Sequence, residues 1–495
     1  MRGRQPSRGW GFGAQSPGLA VGSGVLSRRA IAGRSLDAPT RTLFVVLFLL
    51  FAIPYAGRPP LYVVDILLAG LWIWLFAFSP ETKKYLRPIS GGLKWMVSII
   101  AYLLFVSTVH EMLSLRIYEA SIYMAGRYFL AMSLVLLVPV LIRKIGDLYI
   151  VSVIVVSASV LTSLFAALFS LPVFIFVREF YASPSIFFPG RSALLNDTHV
   201  FTDEYVDRAS ALVGGANIVA CWLTISVSFV FVWLRRARSS LGKIAALSLI
   251  GLICFASLLT YSRIAFVGLG FVALFSVFFG GREARILIPL LFFGAFVFIT
   301  SFASGSSKFN FAYTFSKFQV SFSDPGSAVT DQARIISYTY TFPFLVDNPE
   351  YFFVGQGVGG DSAVRYAGKS KDDLVLNFND GRVHSVFAKG TYNLGFIGTM
   401  ALFMVYFRSL FDLFRSLRVA LSLRWRERDV FAALLISASA LLPFMIVGHV
   451  FISQPMGFAM IFLFAGLAEA VSIMTKQRVQ TLLDFKSAAV YRTRL

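Results

Sequence analysis

The sequence predicts an all-α, polytopic integral membrane protein of about twelve transmembrane helices with one large non-cytoplasmic loop. Three observations predict it. Apolar runs of membrane-crossing length recur from residue 42 to residue 475, and a helix needs about 20 mostly apolar residues to span a bilayer. Of 495 residues, 57% are hydrophobic and 14% charged, at a mean hydropathy of +0.74, which is more apolar surface than a soluble core of this size needs. Lys and Arg gather between the apolar runs, and every second connection is basic, the pattern that orients helices across a membrane.

Residues 1–41 hold seven Arg against one Asp among Gly and Ser, and read as a disordered basic cytoplasmic tail. Ser27-Arg28-Arg29 resembles a twin-arginine signal, but the first apolar run begins too far downstream and more spans follow. The twelve candidate spans are 42–57, 61–79, 91–109, 122–142, 148–177, 211–234, 244–261, 264–280, 286–302, 386–407, 430–448 and 455–475. Nine lie in 42–302, which also holds a loop at 178–210, and three lie in 386–475. Arg58-Pro59-Pro60 makes a tight turn between the first two. The fifth run is long enough to tilt or to end in an interfacial turn near Pro172. Segment 408–428 reads as a basic amphipathic stretch on the inner leaflet, either a lipid sensor or an anchoring connector. Residues 476–495 form a second basic cytoplasmic tail.

With the N-terminus inside, the inner segments carry 29 of the 45 Lys and Arg and the outer segments 12. Both termini are then cytoplasmic. The net charge of +20 is therefore a topological signal, and its scatter over many connections excludes a single nucleic-acid-binding face. The two cysteines, Cys221 and Cys254, sit in apolar runs and read as inert core thiols. No Asp/His cluster has metal-ligand spacing.

The chemistry is expected in the outer loop 303–385. It contains 15 aromatic residues and no Trp, so its rings fit either sugar faces or a membrane-edge belt. Arg263 follows Thr260-Tyr261-Ser262 at the outer membrane edge, where a cation is costly unless paired. Its guanidinium fork suits a phosphate, and the alternative is a structurally paired arginine. Arg334 and Tyr338 fall one helical turn apart in a short surface helix and could face one ligand, or Arg334 pairs locally with Asp331 or Glu350. Gly355–Gly360 lacks the Lys-Ser/Thr of a phosphate-binding loop and reads as a tight turn that lets the chain pack closely. His384, one of four histidines, precedes a membrane segment containing Gly390, Gly395 and Gly398. Its imidazole can take a proton from a sugar hydroxyl near neutral pH, although a lone interfacial histidine usually only hydrogen-bonds.

Four stretches together resemble the O-antigen ligase and polymerase superfamily, polytopic bacterial glycosyltransferases. They are Arg208-Ala-Ser-Ala-Leu-Val-Gly-Gly-Ala-Asn217 at the start of a span, Ser262-Arg263 with Gly268, Arg334 followed by Asn348-Pro349 and Gly355-Gln-Gly357-Val-Gly359, and His384-Ser385 followed by Gly395-Phe-Ile-Gly398. The match covers roughly 200–410 and departs at Ser385, where ligases usually carry Asn. The resemblance implies a glycan donor on undecaprenyl diphosphate. Arg208, Arg263 and Arg334 would hold the diphosphate without a metal, and His384 would orient or deprotonate the acceptor hydroxyl. His384, Arg334 and Arg263 are thus the catalytic candidates, and Arg208, Asn217, Tyr338 and Arg382 the substrate-binding ones. No cofactor is expected. Expected partners are the lipid-linked glycan, a growing polysaccharide or lipid acceptor, membrane lipids and a chain-length regulator, with no nucleic acid. The expected setting is the bacterial inner membrane, with the loop in the periplasm. A polymerase of repeat units is the leading expectation, a ligase to lipid A core the next, and a transporter or flippase the alternative of another class.

Overall fold

The computed structural model describes residues 37–54, 57–58, 61–78, 90–115, 118–170, 199–201, 204–206, 216–260, 262–279, 343, 345–347, 349–355, 357–358, 385–447, 450–453 and 455–492. Two compact units divide at residue 38; only Asp37 and Ala38 of the first are described, and all other described residues belong to the second, Pro39–Leu495. The helices are α1 (Ala38–Ala52), α2 (Val63–Phe78), α3 (Gly91–Leu115), α4 (Tyr118–Leu141), α5 (Ile145–Ser170), α6 (Ala216–Arg236), α7 (Ser240–Leu259), α8 (Arg263–Phe279), α9 (Glu350–Phe353), α10 (Val386–Ser422), α11 (Arg428–Val447), α12 (Val450–Ser453) and α13 (Pro455–Arg492). Two small antiparallel ribbons accompany them, β1 (Gly57–Arg58) with β2 (Leu61–Tyr62) and β3 (His199–Phe201) with β4 (Glu204–Val206).

Eight of these helices are long and apolar enough to cross a membrane, and α1, α2 and α8 are shorter apolar helices. The protein is a multi-pass helical membrane protein. Eleven of the twelve candidate spans coincide with these helices; the remaining one, 286–302, lies outside the described residues. Helices suit this composition because each satisfies its backbone hydrogen bonds internally, which hydrocarbon demands.

Small and polar residues hold the helices together, as they do where lipid removes the hydrophobic drive for association. α6 is buried along nearly its whole length. Its Trp222 indole N–H donates to Leu50 O of α1 at 2.7 Å, and the Ser159 hydroxyl of α5 donates to Ser226 at 2.5 Å. Ser228 of α6 shares a hydrogen bond with Ser437 of α11. α13 runs against α4, where Gly466 removes the side chain that would otherwise meet Leu134 O at 2.7 Å.

The bundle has two chemically different ends. At the basic end, Asp429 accepts from Arg236 Nε at 3.2 Å and from the Tyr149 hydroxyl at 3.1 Å, joining α11 to α6 and α5. Arg478 Nη1 donates to Glu427 at 3.0 Å, and buried Glu469 accepts the Ser90 backbone N–H at 2.7 Å just before α3 begins. At the other end, the loop end, lie the starts of α2, α4, α6, α8 and α10.

Segment 408–428 is for the most part a direct continuation of the helix that opens at Val386. α10 continues unbroken through it to Ser422, burying Ser409, Leu413, Ser416, Leu417 and Ala420 and exposing Phe414 and Leu421. Its Arg and Leu are good helix formers, so the helix outlasts the apolar run. Arg58 instead pairs with Leu61, a two-stranded register that brackets the expected turn.

Candidate functional site

Two constellations at the loop end contain described residues from the stretches that carry the resemblance. The first joins the starts of α6 and α8. α7 ends at Leu259, Thr260 turns the chain with its hydroxyl on Ser257 O at 2.6 Å, and Ser262 N–H donates to that hydroxyl oxygen at 3.3 Å. Ser262, buried, then donates its own hydroxyl to Asn217 Oδ1 at 2.8 Å. Asn217 is the second residue of α6, and Arg263 is the first of α8. The bond thus sets two helix N-termini side by side, and each carries the partial positive charge of unpaired backbone N–H groups. Deeper in α8, Gly268 admits Phe444 and Thr224, because a Cβ there would stand 2.6 Å from the phenyl ring. An asparagine, a serine and helix-start amides are groups that orient an anion or a hydroxyl-rich ligand.

The second constellation is the glycine turn after α9. α10 is broken at Gly395, whose φ of 75° lies in the left-handed region. A break frees carbonyls that an intact helix would use. The Asn393 carbonyl accepts instead from Gly357 N–H at 3.1 Å. Gly355 N–H donates to the Ser107 hydroxyl of α3 at 3.2 Å. A Cβ on Gly355 would collide with the Asn393–Leu394 peptide, and one on Gly395 would lie 3.0 Å from the Phe353 backbone. Two glycines therefore face each other's backbones across this contact, which is the close packing expected of the turn. The chain just before it is fixed too: Leu345 packs on Ala388 and Tyr392, and Phe352 stacks on Phe396 at 5.0 Å between ring centres. Of the loop aromatics, Phe352 is thus spent on packing.

Of the seven candidates, Arg208, Arg334, Tyr338, Arg382 and His384 lie outside the described residues. Arg263 is described as the first residue of α8, and Asn217 with its side-chain partner Ser262. The structure brings together the first two resembling stretches through Asn217 and Ser262, and the last two through Gly355–Gly357 and Gly395. Among the described residues, no group of three His, Cys, Asp or Glu could hold a metal ion.

Three buried polar features fall outside the seven candidates. Glu111 of α3 is fully buried, with Gly357 against its carboxylate. Lys389, the fourth residue of α10, is 1% exposed. Arg127 Nε donates to Asp65 at 2.7 Å while its guanidinium stacks 4.3 Å from the Tyr62 ring and 5.6 Å from the Tyr123 ring, beside a cavity about the size of one water. The available signal was a charged residue inside or at the end of an apolar run, which is a functional candidate by default.

No protein-family model matches the chain, and no curated protein matches it.

Proposed function

We propose that this protein is an inner-membrane glycosyltransferase that polymerises undecaprenyl-diphosphate-linked oligosaccharide repeat units on the periplasmic side. In this reading twelve helices span the membrane, both termini are cytoplasmic and the loop 303–385 is periplasmic. The observation that carries the reading is the Ser262–Asn217 hydrogen bond. It couples the stretch that opens α6 to the one that opens α8, as a shared donor site requires.

In the reaction an acceptor hydroxyl oxygen attacks the anomeric carbon of the donor. The bond from that carbon to the diphosphate oxygen breaks, and the lipid diphosphate leaves with the bonding electrons. His384 takes the hydroxyl proton. Arg208, Arg263 and Arg334 hold the charge that builds on the leaving group, and preorganised cations are worth most where charge develops. Asn217, Tyr338 and Arg382 orient the sugars and the diphosphate.

Sizing the lipid-linked pool of a His384→Ala strain tests the reading. A polymerase defect leaves single lipid-linked repeat units, because the acceptor no longer attacks. A ligase defect leaves long lipid-linked chains, because polymerisation upstream continues. Full-length surface polymer removes His384 from the mechanism. One observation favours a carrier as the second reading: Asp65, Arg127, Glu111, Lys389 and Glu469 are ionisable and buried in an apolar body. A carrier defect would leave single units on the cytoplasmic face, out of reach of enzymes added outside.

A further inference from the structure

The glycine turn touches three elements at once, and its partners on α3 have no part in the transfer described above. Ser107 and Glu111 are one helical turn apart on α3, and both are fully buried. The Ser107 hydroxyl accepts from Gly355 N–H at 3.2 Å. Gly357, at φ 94°, leaves room for no Cβ, because Glu111 and the Ser107 carbonyl, 2.9 Å from where it would stand, fill that space. Gly357 N–H continues to Asn393 O at 3.1 Å, directly before the break in α10. The turn is therefore wedged between α3 and the short outer segment of α10, residues 386–394, whose first residue follows the cap Ser385 and, in sequence, His384. Ser385 accepts Ala388 N–H at 3.2 Å, so the cap moves with that segment.

We infer that Ser107 and Glu111 are positioning residues. They seat the glycine turn on α3, Ser107 by its hydrogen bond and Glu111 by its shape, and through the turn they hold the outer segment of α10 in the orientation that transfer requires. Gly395 is the joint about which that segment would otherwise swing, since only a glycine accepts its backbone angles without strain. The inference rests on the glycosyltransferase reading for its consequence, but the seat itself is independent of it.

The test separates the two. Cys221 and Cys254 are buried, so a cysteine placed at Val358, itself 5% exposed, reports on the turn with little background. Full-length Val358→Cys protein in membrane vesicles is treated with a membrane-impermeant maleimide on the loop side. Adding Ser107→Ala or Glu111→Ala should raise the labelling rate about two- to tenfold, the range that one neutral hydrogen bond or its equivalent in packing spans. Glu111→Gln, which keeps the shape, should leave the rate within about twofold. In the same vesicles, Ser107→Ala at unchanged protein level should lower kcat with little change in KM for the lipid-linked donor. Unchanged labelling in both alanine variants overturns the seat. Raised labelling with undiminished polymer overturns the positioning role. If a strain lacking the protein makes normal surface glycan, the functional reading fails, and the labelling still judges the seat.

Discussion

Arg127 carries a charge into apolar surroundings, where an isolated cation is expensive. Asp65 compensates it at 2.7 Å, and Tyr62 and Tyr123 offer ring faces. Removing one partner of a buried pair costs more than removing both, because the survivor is left uncompensated. Asp65→Leu is therefore expected to lower stability by about 3–5 kcal/mol, and the double change Asp65→Leu with Arg127→Met to recover most of it. Thermal unfolding in detergent compares the two; equal losses would mean that the pair is not coupled. At the proposed donor site, Arg263→Lys keeps the charge but loses the planar fork, so most polymer should disappear while protein level holds. Near-normal polymer from a stable Arg263→Lys protein would exclude a phosphate-holding role. Arg263 was legible in the sequence as a charge at a span edge, whereas Glu111 was not. The apolar run was closed at residue 109, while the helix continues to Leu115 and buries the next acid.

At the scale of elements, glycine decides how closely helices approach. Gly466 of α13 has the Leu134 carbonyl 2.7 Å and Val138 Cβ 2.8 Å from where a methyl would go, whereas Gly270 of α8 has nothing within 4 Å. Gly466→Ala must push α13 off α4, at a cost of about 1–3 kcal/mol for overpacking. Gly270→Ala should be neutral or slightly stabilising, since alanine favours a helix by about 1 kcal/mol over glycine. Melting both variants side by side checks this, and an equal effect would refute the packing argument. Hydropathy located eleven helices because apolar runs of this length have one solution in a bilayer. It could not show that α10 breaks at Gly395, since a break follows from a partner arriving from the loop and not from periodicity. Nor did it show that α10 and α13 run on through charged sequence, because charge ends a hydrophobic run without ending a helix.

For the whole molecule, the difference between the two ends is the main organising fact. Arg143, Lys144, Arg235, Arg236, Arg238, Arg424, Arg426 and Arg428 share one end, and the Ser262–Asn217 and Gly355–Gly395 contacts share the other. In the proposed topology the basic end is the cytoplasmic one, as the positive-inside rule expects. A reporter fused near Ser422 should be cytoplasmic and one near Ser370 periplasmic, read by paired fusions active on opposite sides. The reverse pattern would put the candidate residues on the wrong leaflet for lipid-linked donors. The pairing of the four resembling stretches into two contacts was beyond the sequence, because it depends on which helix starts lie side by side.

The last long helix outreaches the layer it crosses. α13 has 38 residues, roughly 57 Å at about 1.5 Å each, against a hydrocarbon layer of about 30 Å. Its burial ends at Thr475, and Lys476, Gln477 and Gln480 to Asp484 are exposed. Arg478 is tied to the body through Glu427, so the stretch from Gln480 to Arg492 adds about 20 Å of helix beyond that tie. Dyes attached at successive turns of it would form a graduated scale. Energy transfer from labelled lipid to each dye would measure how far that mast stands clear of the membrane, and at what height an aqueous visitor first meets it.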